Sequence, residues 1–321
     1  MPILESTYNP PYIFRNYHIS TIYASKLRSV KVVPQTRERL ELEDGDFLDI
    51  DWSFAKSKPS NKVLIVLHGL DGNAQRTYVL GLAHHFNYNE WDVAAINFRG
   101  CSGEINKLYR SYNAGATEDL ERVVKHILSA KKYESLAING FSLGGNLLLK
   151  YLGEGNNLPI ELRAAVAISA PCDLYASLKK LDETRNWLYS KRFVMQLKKQ
   201  LHLREQNFPE EITKEQIAKC ANLFAIDELY TSQAHGYANA LEYYEKSSAL
   251  SFLPNIKTPT LLINAKNDGF LSENSSPVAL AKNNLNFFLE MPEYGGHVGF
   301  LQKKAATYTE ERALEFITSF L

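Results

Sequence analysis

The chain is poor in cysteine, in charge of one sign and in long apolar runs, and each shortage excludes a class of protein. Only three cysteines occur in 321 residues, Cys101, Cys172 and Cys220, an odd number without the close paired spacings that hold zinc. Neither a disulfide framework nor a structural metal is expected, and a reducing compartment, the cytoplasm, is the simpler setting. Lys and Arg total 36 against 36 Asp and Glu, giving a net charge of +0 and an isoelectric point near 7.1. No global field therefore draws the chain to nucleic acid or anionic lipid. The start, MPILESTYNPPYIF, lacks a cationic stretch leading into a long apolar one, and the run Val63 to Leu67 is far too short to cross a bilayer. A soluble chain without stable membrane insertion is the expectation. Hydrophobic residues at 45% and charged residues at 22% are ordinary globular values, and 36.4 kDa fits one α/β domain with an insertion.

What is present has a clear order. The first thirty residues, with Asn9, Pro10 and Pro11 among scattered aromatics, read as an irregular arm lying on the domain. Arg39 to Trp52 read as a hairpin: Leu40 and Leu42 alternate with charges, Asp44 and Gly45 supply the positive φ of a tight turn, and Leu48, Ile50 and Trp52 alternate on the return. Such a hairpin belongs at a sheet edge. From Lys62, short unbroken apolar runs alternate with helical segments, the pattern of parallel strands covered on both faces. The expected strands are Lys62 to Leu67, Trp91 to Asn97, Ser135 to Asn139, Ala164 to Ile168, Thr260 to Asn264 and Asn286 to Glu290. Between the second and third, Leu120, Val123, Val124, Ile127 and Leu128 mark an amphipathic helix with Thr117 as its cap, and a final helix follows Tyr308. Right-handed crossovers then predict a mostly parallel twisted sheet with helices on both faces. The long stretch between the fourth and fifth strands, residues 171–254, reads as a helical cap inserted into a core of residues 1–170 and 255–321.

The chemistry-bearing residues sit at strand ends. Gly140, Phe141, Ser142, Leu143 and Gly144 spell G-x-S-x-G between the third strand and a helix, where a sharp turn exposes Ser142 Oγ and leaves no room for a Cβ at either glycine. A serine hydroxyl needs a base, and that base needs an orienting acid. Of eight histidines, His84, His85, His126, His202 and His235 fall in helices or the cap, whereas His297 lies in a Gly-rich loop between the last strand and last helix. Asp268, directly after the strand Thr260 to Asn264, completes the order Ser142, Asp268, His297 that α/β hydrolases use. Asp173, one strand earlier, is a rival acid. His68, Gly69, Leu70, Asp71 and Gly72 follow the first parallel strand, so the backbone N–H groups of Leu70 and Leu143 are the candidate oxyanion donors, with His68 a structural hydrogen-bonder.

With these residues in view the chain resembles the YheT-type α/β hydrolases, a family that includes abhydrolase-domain lipases and acyl-ester enzymes. The resemblance runs through RNYHISTIY (Arg15 to Tyr23), Arg37 to Trp52, HGLDG, NFRGCSG (Asn97 to Gly103), RSYNAGATEDL (Arg110 to Leu120), the Ser142 turn and Asp227 to Tyr244. Ser20, where the family usually has Gln, and Asn267 and Gly269, where it tends to Asp and Pro, depart from it. The resemblance implies an α/β-hydrolase fold and a serine hydrolase of carboxylic esters with short or medium acyl chains. The substrate it implies is a small-molecule ester or acylglycerol-like compound, and it calls for no cofactor or metal. An acyltransferase sharing the acyl-enzyme, or a binding protein on the same fold, are the alternatives. Arg99 and Arg110 fit a contact to a polar head group or a charge pair bracing the loop after the second strand, the latter being expected. Cys101 reads as inert packing. The aromatics of the cap fit either an acyl pocket or the cap's own core.

Overall fold

The unbroken apolar runs form the centre of one nine-stranded sheet in the computed structural model, which describes residues 2–56, 59–130, 133–155 and 157–321. Its strands are β1 (Ile3–Leu4), β2 (Thr36–Glu41), β3 (Phe47–Ser53), β4 (Lys62–Leu67), β5 (Asp92–Asn97), β6 (Ser135–Phe141), β7 (Leu162–Ile168), β8 (Thr260–Ile263) and β9 (Phe287–Glu290). They lie in the order β1-β9-β8-β7-β6-β4-β5-β3-β2, parallel throughout except where β3 pairs with β5 and with β2. Every residue of β5 and β8 is buried, so neither strand has a solvent face on which polar residues could alternate. All six strands expected from Lys62 onward are present, with ends displaced by no more than two residues.

The β2–β3 hairpin closes one edge of the sheet. Gly45 alone of its turn pair has positive φ, at 83°. Asp44 acts through its side chain instead, Oδ1 accepting the Asp46 N–H at 3.1 Å. The arm is more ordered than its prolines suggest. Ile3–Leu4 extend the opposite edge beside β9, and Tyr17–Ile22 form a helix whose Asn16 cap accepts from the His18 and Ile19 amides.

Helices cover both faces. Thr77–Tyr88 and Tyr308–Thr318 bury Leu82, Phe86 and Phe316 on one side; Thr117–Ala130 and Leu143–Gly153 bury Val123, Ile127, Leu147 and Leu148 on the other. Thr117 is the first residue of its helix and not its cap; the turn before it is made by Asn113, whose Oδ1 accepts the Gly115 N–H at 2.7 Å. The helix Leu143–Gly153 is buried along its whole length, and each of its core leucines contributes roughly 2 kcal/mol on burial. That anchoring matters for the residue just before it. Between β7 and β8 the chain folds into the helices Leu174–Leu181, Trp187–Asn207, Lys214–Lys219, Leu223–Ile226 and Ala240–Ser247, together with shorter turns. Val194, Leu201, Ile217, Leu223 and Ile226 form an apolar cluster within this segment, joined by Phe270.

Candidate active site

Ser142 sits between the last residue of β6 and the first of the helix Leu143–Gly153, at φ 52° and ψ −119°. This is a conformation that costs a non-glycine residue about 1–3 kcal/mol and persists only when its surroundings impose it. Here the packing imposes it: a Cβ at Gly140 would overlap the Gly144 carbonyl, and one at Gly144 would come 2.5 Å from the His68 carbonyl oxygen. The Ser142 N–H donates to the Ile168 carbonyl of β7 at 2.8 Å, fixing the turn to the neighbouring strand.

His297 faces this serine from the loop after β9. Its Nε2 is 2.9 Å from Ser142 Oγ and its Nδ1 is 2.8 Å from Asp268 Oδ2. Asp268 stands in the loop after β8, its carboxylate fully buried and its Oδ1 accepting the Phe270 N–H at 2.9 Å. A carboxylate can only accept, so Nδ1 carries the proton and Nε2 is left to accept from the serine hydroxyl. The three side chains named from their order along the chain are therefore adjacent in space.

The loop after β4 lies against the serine; a Cβ on Gly69 would stand 3.0 Å from Ser142 Cβ. The Gly69 N–H donates to the Tyr78 hydroxyl oxygen and the Asp71 N–H to that of Tyr112, at 3.1 and 2.9 Å. The amides of Leu70 and Leu143 have no acceptor among the described residues. His68 serves as a brace: its Nδ1–H donates to the Gly69 carbonyl at 2.8 Å and its bare Nε2 accepts the Phe98 N–H at 3.2 Å. Burial pushes its pKa down from 6.5 to about 4, because a second proton would be desolvated and would face an N–H. A depressed imidazole adds stability that is present above its unfolded pKa and lost as pH falls through the folded one, here up to roughly 3 kcal/mol. Urea unfolding between pH 7 and pH 4 is expected to show wild type losing stability faster than His68→Gln. Parallel curves would remove His68 as the cause.

The α/β hydrolase fold family profile matches residues 62–304. The chain belongs to that family. Within it, the chain is 34% identical to YheT of Escherichia coli (strain K12), provisionally named an esterase, over 96% of this chain and 92% of that protein, bearing out the YheT-type resemblance. It is 28% identical to "Phospholipase ABHD3" of Mus musculus, over 100% of this chain and 80% of the relative. Among solved structures, a Pyrococcus furiosus esterase superposes with a TM-score of 0.61 at 17% identity, covering 98% of this chain and 97% of that one; this likeness shows the fold alone.

In this α/β hydrolase two cavities meet at Ser142 and His297. One, of about 140 Å³, is walled by Leu174, Leu178, Leu181, Phe193, Tyr243 and Tyr244 from the inserted helices. The other, of about 110 Å³, is lined by Thr21, Ser25, Asp71, Arg76, Tyr189 and Arg192. The aromatics of residues 171–254 thus divide: Phe193, Tyr243 and Tyr244 line the cavity beside Ser142, Phe224 and Tyr237 pack against the core without lining it, and Trp187 is exposed.

Asp173 is not brought to the site. It caps the helix Leu174–Leu181, accepting from the Ala176 N–H at 3.0 Å and from Asn274 Nδ2 at 2.9 Å. His126 pairs with Glu38 at 2.7 Å, and His235 lies between the Thr231 and Ser111 carbonyls. Arg99 is buried and ties Asp119 in a two-pronged pair while reaching Asp44 and Asp46, bracing the loop after β5; Arg110 pairs with Glu118. Cys101 is free and buried, and burial raises its thiol pKa, which keeps it inert.

One set of supporting residues has no local signal. Thr21 Oγ1 accepts the His297 N–H at 2.9 Å, and Ser20 Oγ donates to the Gly295 carbonyl at 3.0 Å, so the arm holds the histidine loop. Asn267 accepts the Gly296 N–H and donates to the Arg15 carbonyl. Ser20 and Asn267 thus join the arm to the loops carrying Asp268 and His297.

Proposed function

We propose that the protein hydrolyses carboxylic esters through an acyl-Ser142 intermediate. The observation that carries this reading is the continuous hydrogen-bonded line from Asp268 through His297 to Ser142 Oγ, at 2.8 and 2.9 Å, opening onto an apolar cavity. The esterase and phospholipase names of the curated relatives support it. Ser142 Oγ attacks the ester carbonyl carbon while its proton passes to His297 Nε2. Asp268 holds the Nδ1–H and offsets the imidazolium charge. The Leu70 and Leu143 amides donate to the developing oxyanion, one such donor being worth about 3 kcal/mol. The C–O bond then breaks, and the alcohol leaves with the proton from His297. Water attacks the acyl carbonyl next, giving a proton to His297, and release of the acid returns that proton to Ser142.

In this reading residues 171–254 are a cap over the core formed by 1–170 and 255–321, and the cavity of about 140 Å³ takes the acyl chain. Its walls of Leu181, Tyr243 and Tyr244 favour short and medium chains. Across p-nitrophenyl esters, kcat/KM is expected to peak between butyryl and octanoyl and to fall at palmitoyl; a steady climb to palmitoyl would overturn the chain-length assignment. Three free, buried cysteines fit work in the cytoplasm. The decisive test is a fluorophosphonate probe followed by peptide mass spectrometry. Modification of Ser142 is expected, and an unlabelled protein, or label on another residue, refutes the mechanism.

A further inference from the structure

A net charge of +0 conceals a segregation. No Asp or Glu occurs between Glu5 and Glu38, nor between Glu183 and Glu205. These two stretches contain the arm helix Tyr17–Ile22 and the long helix Trp187–Asn207 as far as Arg204, and the arm helix packs beside the N-terminal end of the long one. Tyr17 donates to Asn186 Oδ1 at 3.3 Å, and the His18 ring stacks on that of Tyr189, with Nδ1 3.1 Å from the hydroxyl.

The surface they share is apolar as well as basic. The arm exposes Tyr12, Ile13, Ile19, Ile22, Tyr23 and Leu27. The helix adds Trp187, Leu188, Met195 and Leu203, so these short segments hold more than half of the large apolar side chains exposed among the described residues. Interleaved with them stand Lys26, Lys191, Arg192 and Lys199. Asp71 is the carboxylate on which Lys26, Arg76, Arg192 and Lys199 all act, and of these Arg76 is the one within ion-pair distance, at 3.6 Å. Lys191 lies over the Trp187 ring at 4.9 Å. The Arg192 guanidinium, foremost, holds the Lys26 ammonium below its ordinary pKa, as expected of like charges crowded without enough counter-charge. This face surrounds a mouth: Thr21, Ala24, Ser25, Tyr189 and Arg192 line the cavity of about 110 Å³ that reaches Ser142.

Charge and shape decide the occupant. A second copy of this chain would set these cations against one another. An acidic protein would meet the cations but would leave protruding isoleucine, leucine and methionine side chains to be covered separately. An anionic bilayer satisfies both, with apolar side chains entering the acyl boundary, Tyr and Trp at headgroup level, and Lys and Arg against lipid phosphates. We propose that this face docks reversibly on an anionic lipid bilayer and presents the mouth of the Ser142 cavity to it. Docking does not depend on the ester-hydrolase reading, since it is measured without turnover.

The test is co-sedimentation of the full chain with vesicles of phosphatidylcholine alone or mixed with phosphatidylglycerol, read alongside tryptophan emission. Trp52 and Trp91 are buried whereas Trp187 is 55% exposed, so a blue shift on adding vesicles reports Trp187 entering lipid. Wild type is expected to pellet with the anionic vesicles, with a blue shift, and to be released by high salt. The pair Lys191→Glu, Lys199→Glu should weaken this at least about tenfold, since each cation near an anionic surface contributes measurably to binding. The pair Leu188→Ser, Met195→Ser should abolish the blue shift. Both pairs alter exposed positions outside the site and should cleave soluble p-nitrophenyl butyrate at the wild-type rate. Failure to pellet with anionic vesicles, or pelleting unaffected by charge reversal, overturns the proposal. So does self-association in light scattering that the same variants abolish, which assigns the face to a second copy. Binding to polyglutamate without binding to vesicles also overturns it and assigns the face to an acidic protein.

Discussion

Ser142→Ala is expected to lower kcat on p-nitrophenyl butyrate by about five to six orders of magnitude, as loss of the nucleophile does in other triad enzymes. It should also remove fluorophosphonate labelling while leaving the thermal midpoint close to wild type. The substitution deletes one oxygen and changes nothing that holds the turn. The Ser142 N–H still donates to Ile168, and its carbonyl still accepts from Gly145 and Asn146. Alanine has the same Cβ as serine, so the strain at φ 52° is not increased. His297 keeps Asp268 at Nδ1 and Thr21 at its backbone N–H, so the rest of the site stays in place. The residual rate reports the oxyanion amides and substrate binding alone. Turnover near wild type would remove Ser142 as nucleophile and leave the fold assignment untouched.

The parts of this molecule legible in the sequence are those where a local rule leaves no alternative. A parallel strand covered on both faces must be continuously apolar, and Val63 to Leu67 is, with no more than 1% exposure at any position. A turn in which a Cβ would meet the His68 carbonyl must have glycine, so the spacing around Ser142 was readable. Contacts between distant segments were not. The bonds from Ser20 and Thr21 to the histidine loop span 275 and 276 residues and leave no periodicity in either segment. β1 is two residues long, too short for any alternation to show. The aromatics of residues 171–254 have one composition and separate destinations: Tyr243 and Tyr244 wall a cavity while Trp187 faces outward, a division set by contacts between helices that composition does not record. The basic apolar face was hidden differently, because a balanced total charge says nothing of its distribution.

The choice between Asp268 and Asp173 as the orienting acid, a choice that chain order alone left open, becomes a quantitative comparison of two isosteric changes. At Asp173 the carboxylate caps a helix, and asparagine caps nearly as well, so Asp173→Asn should cost less than about 1 kcal/mol of stability and little activity. At Asp268 the same change acts on the tautomer. The Phe270 N–H occupies Oδ1, so an asparagine there keeps its oxygen on that amide and turns its NH₂ group toward His297 Nδ1. Nδ1 must then accept, which moves the ring proton to Nε2, where it faces Ser142 Oγ as a donor and can no longer take the serine proton. The imidazolium formed during attack also loses its buried counter-charge. Asp268→Asn is therefore expected to fold and to lose kcat by about 10⁴, in line with the same change in other triads. Measuring kcat/KM and thermal midpoint for both variants separates a catalytic effect from a structural one. A larger kinetic loss at Asp173 than at Asp268 would transfer the role of acid to the helix cap, with the roles of Ser142 and His297 unaffected.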